Sequence, residues 1–151
     1  MSDPLAQFEA DWLVRLQQGA EAAFHYGEVP KDAGFHSAVA DDFVGGLGYK
    51  RIGFNWELLD ASASPSEPRS ALGEITEAVA FDISNPSREW LGEDKARHCA
   101  RQLLGAYSAD RLTVVSNRYD GLWNPISGAS VEWGFVCFDD TRIALLLIRQ
   151  P

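Results

Sequence analysis

Two cysteines, Cys99 and Cys137, and three histidines, His25, His36 and His98, are the residues of this 151-residue chain best suited to nucleophilic or metal chemistry. A thiol nucleophile needs a base beside it and surroundings that favour the thiolate. Cys99 with His25 or His36 is the pairing available. Cys99, however, falls in the middle of an apolar helical stripe, and Cys137 shares a strand face with Trp133 and Phe135. Thiols in such places behave as small hydrophobes that ionise poorly, so both are expected in the core. The histidines lie far apart, with neither His-Glu-x-x-His nor Cys-x-x-Cys spacing. His98 and Cys99 are adjacent and point about 100° apart on a helix. No metal site is expected.

Phosphate and acid–base chemistry fare no better. In residues 44–53, Gly46-x-Gly48 is followed by Arg51 where a dinucleotide fingerprint has glycine, and Gly48-x-x-x-x-Gly53 is followed by Phe54-Asn55 instead of a lysine and a hydroxyl. A flexible lead-in to a strand is the expectation. Carboxylate pairs exist at Asp41-Asp42, Glu57 with Asp60, and Glu74 with Glu77. Nothing in their spacing places two in one dry pocket, which shifted pKa values require, so solvated faces are expected. Arg97, His98 and Arg101 make a small basic stripe suited to pairing with Glu93 and Asp94. No catalytic residue and no cofactor is expected.

Charge narrows the partners. The net charge is −9, and residues 1–94 carry 17 acidic and 6 basic side chains against 5 and 7 in residues 95–151. An acidic body repels nucleic acid and anionic membrane and attracts basic partners. The N-terminus lacks the basic start and apolar core of a signal peptide, and no apolar run reaches the roughly 18 residues of a membrane span. A cytoplasmic protein with no nucleic-acid or membrane partner is expected.

The elements that must position these side chains follow from periodicity. Ser2 or Asp3 before Pro4 starts a helix whose stripe is Leu5, Phe8, Trp12 and Leu16. Gly19 ends it or the alanine-rich residues 20–24 extend it, and residues 26–30 break it. Residues 31–46 read as irregular. Ile52, Phe54, Trp56 and Leu58 alternate with polar neighbours as a half-buried strand. Residues 61–70 form a flexible connection. Residues 71–83 fit a helix or a strand, with a short strand over 78–83 preferred. Ser87 caps a second helix to about Tyr107, with Ala96, Cys99, Ala100, Leu103 and Tyr107 inward and Trp90, Asp94, Arg97, His98 and Arg101 outward. Residues 112–118 form a strand, and residues 119–128 a loop longer than a minimal hairpin turn. The chain then closes with a hairpin turning at Asp139-Asp140, which pairs Phe138 with Thr141, Phe135 with Ala144 and Trp133 with Leu146. The run from Ile143 to Ile148 is apolar on both faces, as in a central strand.

The expected fold is α+β: a mainly antiparallel sheet of four to five strands with two helices packed on one face, in a single globular domain over residues 1–151. Residues 132–148, Glu-Trp-Gly-Phe-Val-Cys-Phe-Asp-Asp-Thr-Arg-Ile-Ala-Leu-Leu-Leu-Ile, resemble the terminal hairpin of several immunity-protein families that neutralise bacterial polymorphic toxins. The resemblance covers about the last twenty residues, and it implies a small acidic protein that occludes a cognate toxin. Candidate partner-binding residues, chosen from charge and exposed aromatics, are Asp41, Asp42, Glu57, Asp60, Tyr119, Asp120 and Trp123. For Trp123 the alternative is a lid folded back on the core. The other functional expectation is a small enzyme or ligand-binding domain with a pocket between the sheet and the second helix.

Overall fold

A computed structural model of the chain describes residues 3–32, 34–62 and 64–150. Asp3 caps the first helix, α1 (Pro4–Leu16), by accepting from the Leu5 N–H at 2.9 Å, and Pro4 presets the first helical φ. Ser2, the other cap candidate, lies outside the described residues. Leu5, Phe8, Trp12 and Leu16 are all buried, as their spacing requires. The chain then runs through β1 (Glu21–Glu28), α2 (His36–Gly46), a 3-10 turn (Gly53–Asn55) and β2 (Glu57–Leu59). It continues with α3 (Ala71–Ala80), β3 (Phe81–Asp82), β4 (Asn85–Glu89) and α4 (Glu93–Leu104). It ends with β5 (Thr113–Ser116), β6 (Arg118–Tyr119), β7 (Leu122–Trp123), β8 (Val131–Phe138) and β9 (Arg142–Gln150). Among the described residues, no helix is long and apolar enough to cross a membrane.

An antiparallel five-stranded sheet in the order β1-β9-β8-β5-β2 organises the fold, and two small ladders, β3-β4 and β6-β7, stand outside it. Alternation along β8 and β9 divides the core in two. Trp133, Phe135, Cys137, Ala144, Leu146 and Ile148 face α1, α3 and α4. Val136, Phe138, Ile143, Leu145 and Leu147 face α2, Trp56 and Ile126. The α+β class and the antiparallel sheet match expectation. Among the described residues there are four helices, three on one face and one on the other, where two on a single face were expected. The second helical layer explains why β9 is apolar on both sides.

The departures have local causes. Residues 20–24 do not prolong α1: residues 21–28 pair along their whole length with β9, and that ladder overrides the alanine-rich helix propensity. Residues 36–46 form α2 although no side chain caps it, because Val39, Ala40 and Val44 pack on the sheet. The strand read over residues 52–58 shrinks to Glu57–Leu59, since Gly53 at φ 61° winds residues 53–55 into a 3-10 turn. Residues 71–80 are helix, capped by Ser70, which accepts from the Gly73 N–H at 3.0 Å; only Phe81–Asp82 is extended. Ser87 lies in β4 and caps nothing; α4 starts after Gly92, at φ 84°. Its buried face is Ala96, Cys99, Ala100 and Leu103, with Tyr107 beyond its end, while Trp90 precedes the helix and packs half-buried on the core.

The closing hairpin is present with its register moved by two residues. Asp139 Oδ1 accepts from the N–H groups of Thr141 (2.9 Å) and Arg142 (2.8 Å), and four residues, 139–142, separate the last strand pair. Phe138 therefore pairs with Ile143, Phe135 with Leu146 and Trp133 with Ile148. A two-residue shift leaves every side chain on its expected face.

Gly73 ties α3 to the connection before it. A Cβ at this position would stand 2.4 Å from the Pro65 carbonyl oxygen, a backbone atom with little room to give. Gly73→Ala, though favourable for an isolated helix, is expected to cost about 1–3 kcal/mol, read as a lower urea midpoint with an unchanged m-value.

Candidate functional site

The site is built on a loop that a buried carboxylate holds in place. Glu132, on β8, is fully buried. It accepts from Asn117 Nδ2 (2.8 Å), the Ile126 N–H (2.6 Å), the Ser127 N–H (3.0 Å) and the Ser127 hydroxyl. Asn117 Oδ1 in turn accepts from the Gly134 N–H at 2.7 Å, and the Asn124 N–H donates to the Asn117 carbonyl at 2.9 Å. Both ends of residues 117–127 are thus fastened to β8. Between them β6 and β7 form a minimal hairpin, Arg118 opposite Trp123 and Tyr119 opposite Leu122, with Asp120 (φ 52°) and Gly121 (φ 78°) at the tip. Both tip residues have positive φ, the condition for a type I′ turn. Asp-Gly is the sequence signal that would have revealed this ladder.

The hairpin overhangs an open cleft of about 840 Å³ lined by His36, Phe54, Trp56, Glu57, Leu58, Pro68, Arg69, Tyr119, Asp120 and Gly121. Three strongly exposed apolar or aromatic side chains, Phe54, Leu58 and Tyr119, stand among its polar lining, with Phe35 stacked on Phe54 and Leu122 opposite Tyr119 in the hairpin. Phe54 is 79% exposed, Leu122 71%, Phe35 62%, Leu58 47% and Tyr119 46%. The Phe35 and Phe54 rings stack at 6.0 Å between centroids, 19° from parallel. Acidic groups sit among them: Glu57 accepts from the Asp120 N–H at 2.8 Å.

Behind the hairpin a depression of about 200 Å³ collects Glu57, Glu74, Glu77, Arg118, Gly121 and Trp133. The Arg118 guanidinium lies 4.6 Å from the Trp123 ring and 4.8 Å from the Trp133 ring. The two indoles meet edge to face at 5.4 Å. Arg118 Nε is buried with no hydrogen-bond partner among the described residues, so ring stacking holds this cation. Burial, and then the charge of Glu57, raise the Glu74 pKa from an ordinary 4.5 to about 7, against the opposing pull of Arg118. Carboxylates expected to be separately solvated are therefore gathered here, brought together by α3, β2 and the hairpin.

The expected contact residues divide. Glu57, Tyr119 and Asp120 converge on the cleft. Trp123 sits half-buried against Trp133 and the core, so the structure gives it the lid position. Asp41 is turned inward: it accepts from Trp56 Nε1 (2.8 Å) and from the N–H groups of Ile52 and Gly53 (2.9 Å each), fixing the 3-10 turn that carries Phe54. Asp42 is exposed, with Arg51 3.8 Å away. Asp60 accepts from the Ser62 N–H (2.9 Å) and hydroxyl (2.8 Å) and does not line the cleft, though its N–H donates to the carbonyl of the lining residue Arg69 at 2.7 Å. Phe35, Phe54, Leu58, Leu122, Glu74, Glu77 and Arg118 were not among the expected contacts.

Elsewhere the chemistry is quiet. Cys99 and Cys137 are buried, and burial pushes both thiols up to about 12. Arg97 pairs with Glu93 (2.7 Å) and Asp94 (3.8 Å), the local role its stripe suggested. Ala96, Cys99, Ala100 and Leu103 of α4 are buried in the core shared with the sheet. Among the described residues no group of three or more His, Cys, Asp or Glu side chains is placed to hold a metal. No protein-family model matches the chain, and comparisons with curated proteins and with solved structures return no match.

Glu132→Ala strands several buried donors and is expected to cost at least about 3 kcal/mol, with altered tryptophan fluorescence as the loop that carries Trp123 loosens. Glu74 has the opposite sign. Its folded-state pKa is raised, so its protonated form is preferred in the native state and stability is lost as pH climbs from about 4.5 through about 7. Glu74→Gln is therefore expected to raise the melting temperature at pH 8 and to leave it nearly unchanged at pH 4.5, measured by calorimetry at both pH values.

Proposed function

We propose that this chain is an immunity protein: it binds a cognate bacterial toxin or effector domain in the cytoplasm and occludes that domain's active site. The observation that carries the reading is the grouping of exposed apolar side chains. Among the described residues the strongly exposed large hydrophobics are Val14, Phe35, Leu47, Phe54, Leu58, Tyr119 and Leu122; Phe54, Leu58 and Tyr119 line one cleft, Phe35 stacks on Phe54 and Leu122 pairs with Tyr119. Such patches on a water-exposed protein mark contact surfaces. Stacked aromatics supply desolvated area at low entropic cost, the trait of interface anchors.

Charge supplies the second half. Glu57, Asp120, Glu74 and Glu77 border the apolar group, on a chain whose net charge is −9. A basic partner would be drawn in by the long-range field and held by the apolar contacts. A toxin that binds nucleic acid or another polyanion has such a surface, and an acidic protein seated on it competes for the same charge. Glu57, Glu77 and Asp120 are the carboxylates offered to the partner's cations, while Glu74, raised to about 7, carries only part of a charge at neutral pH.

Co-expression with the protein encoded beside it, followed by co-purification and a growth-rescue assay, tests the reading. A stoichiometric complex and restored growth are expected; no complex and no rescue would overturn it. Within that complex, the exposed triple variant Phe54→Ala, Tyr119→Ala, Leu122→Ala is expected to weaken binding by at least about tenfold, the equivalent of 1.4 kcal/mol, with an unchanged melting temperature. Added salt is expected to slow association for both versions.

A further inference from the structure

The far edge of the sheet carries a second surface, independent of the cleft and of the function proposed for it. We propose that β1 is a self-association edge, across which two copies of the chain join antiparallel into one continuous sheet. β1 is eight residues long, pairs with β9 in unbroken register from Glu21 to Glu28, and among the described residues has no strand on its other side. The ladder bond from the Val29 N–H to the Thr141 carbonyl (2.9 Å) sets the alternation: odd-numbered residues bond to β9. The backbone groups of Ala22, Phe24, Tyr26 and Glu28 therefore point outward. Among the described residues, the only one of these groups with a hydrogen-bond partner is the Ala22 carbonyl, which accepts from the Gln17 side chain at 3.2 Å.

Edge strands are ordinarily guarded by lysine, proline, a bulge or a short length. β1 has none of these: no Lys, Arg or Pro occurs between residues 21 and 28, and its register does not slip. The other terminal strand, β2, is three residues long, and its end is taken by the Asp60–Ser70 bridge. With one long unpaired edge among the described residues, pairing about a two-fold axis closes at two copies and does not propagate into a fibre. A second copy also fits by register. Outward residues must face outward residues, so even numbers meet even numbers and Glu21 never opposes Glu28. The longest overlaps are centred on Phe24 or on His25, and both bring the Phe24 and Tyr26 backbones within pairing distance of the second copy.

Two chains of net charge −9 repel at long range, so salt should strengthen this contact, the reverse of its effect on a basic partner. Analytical ultracentrifugation of the full chain over a wide concentration range is expected to show mass doubling, favoured by salt. Hydrogen exchange at the Phe24, Tyr26 and Glu28 amides is expected to slow as the dimer fills. Tyr26→Pro, which deletes an outward N–H at an edge position that tolerates proline, should abolish doubling, while Tyr26→Ala, which keeps that N–H, should retain it. A monomer at every concentration overturns the proposal, as does a dimer that leaves those amides unprotected. Should Tyr26→Pro fail to fold, the exchange pattern of the unaltered chain decides.

Discussion

Burying the Glu132 carboxylate is the constraint on which the functional end of the molecule depends. An ionised carboxylate taken out of water costs several kcal/mol unless donors replace the lost hydration. Here donors from Asn117, Ile126 and Ser127 surround it. Those donors belong to both ends of a single connection, so satisfying the charge also dictates the path of residues 117–127. With the path set, Arg118 must lie over Trp133, Trp123 must close on the same ring, and Tyr119 and Leu122 must face water. A loop that would otherwise carry high entropy becomes a rigid ledge.

The sheet beneath can hold that ledge because it is buried on both sides. β8 and β9 alternate between two apolar layers, and Gly134 leaves the space where Asn117 reaches in: a Cβ there would stand 3.5 Å from Asn117 Nδ2 and 3.1 Å from Leu147 Cδ1. Asp41 does for the opposite wall of the cleft what Glu132 does for the hairpin. Its carboxylate gathers the 52–53 backbone and Trp56, and so presents Phe54 outward. Two acidic side chains that contribute to a −9 charge are thereby consumed as scaffolding. The charge left for a partner is smaller and more localised than composition implies.

That distinction marks the limit of what could be read in the sequence. Strong periodic signals were legible: the α1 stripe, the buried face of α4, the two faces of the closing hairpin and the core positions of both cysteines. Each rests on side chains that face one way in any register. What escaped depended on long-range pairing. Whether α1 stops at Gly19 or runs on through residues 20–24 is open until β9 lies beside them, α2 has no capping side chain to announce it, and the period of two over residues 52–58 reflects aromatics set around a turn. The same holds for the site. Tyr119, Asp120 and Glu57 could be picked by type, but Asp41 could not be known to face inward, nor Glu74 to approach Glu57, before α3 and β2 were placed.

Under the two proposals, the two ends of the sheet would serve two kinds of recognition. At the β2 end the backbone is short and already engaged, so contact there must run through side chains: rings and aliphatic groups for area, carboxylates for direction. Specificity at such a surface is set by which residues protrude, and it can change by substitution without disturbing the core. At the β1 end the reverse holds. The exposed valences are peptide groups, common to every sequence, and discrimination must come from register and from the charges that flank it. An acidic chain with a strongly apolar central hairpin gains from this division. Its protruding side chains ride on loops fixed by two buried or half-buried carboxylates, while the conformation of its regular edge is inherited from β9, whose apolar faces leave it no other place in the sheet.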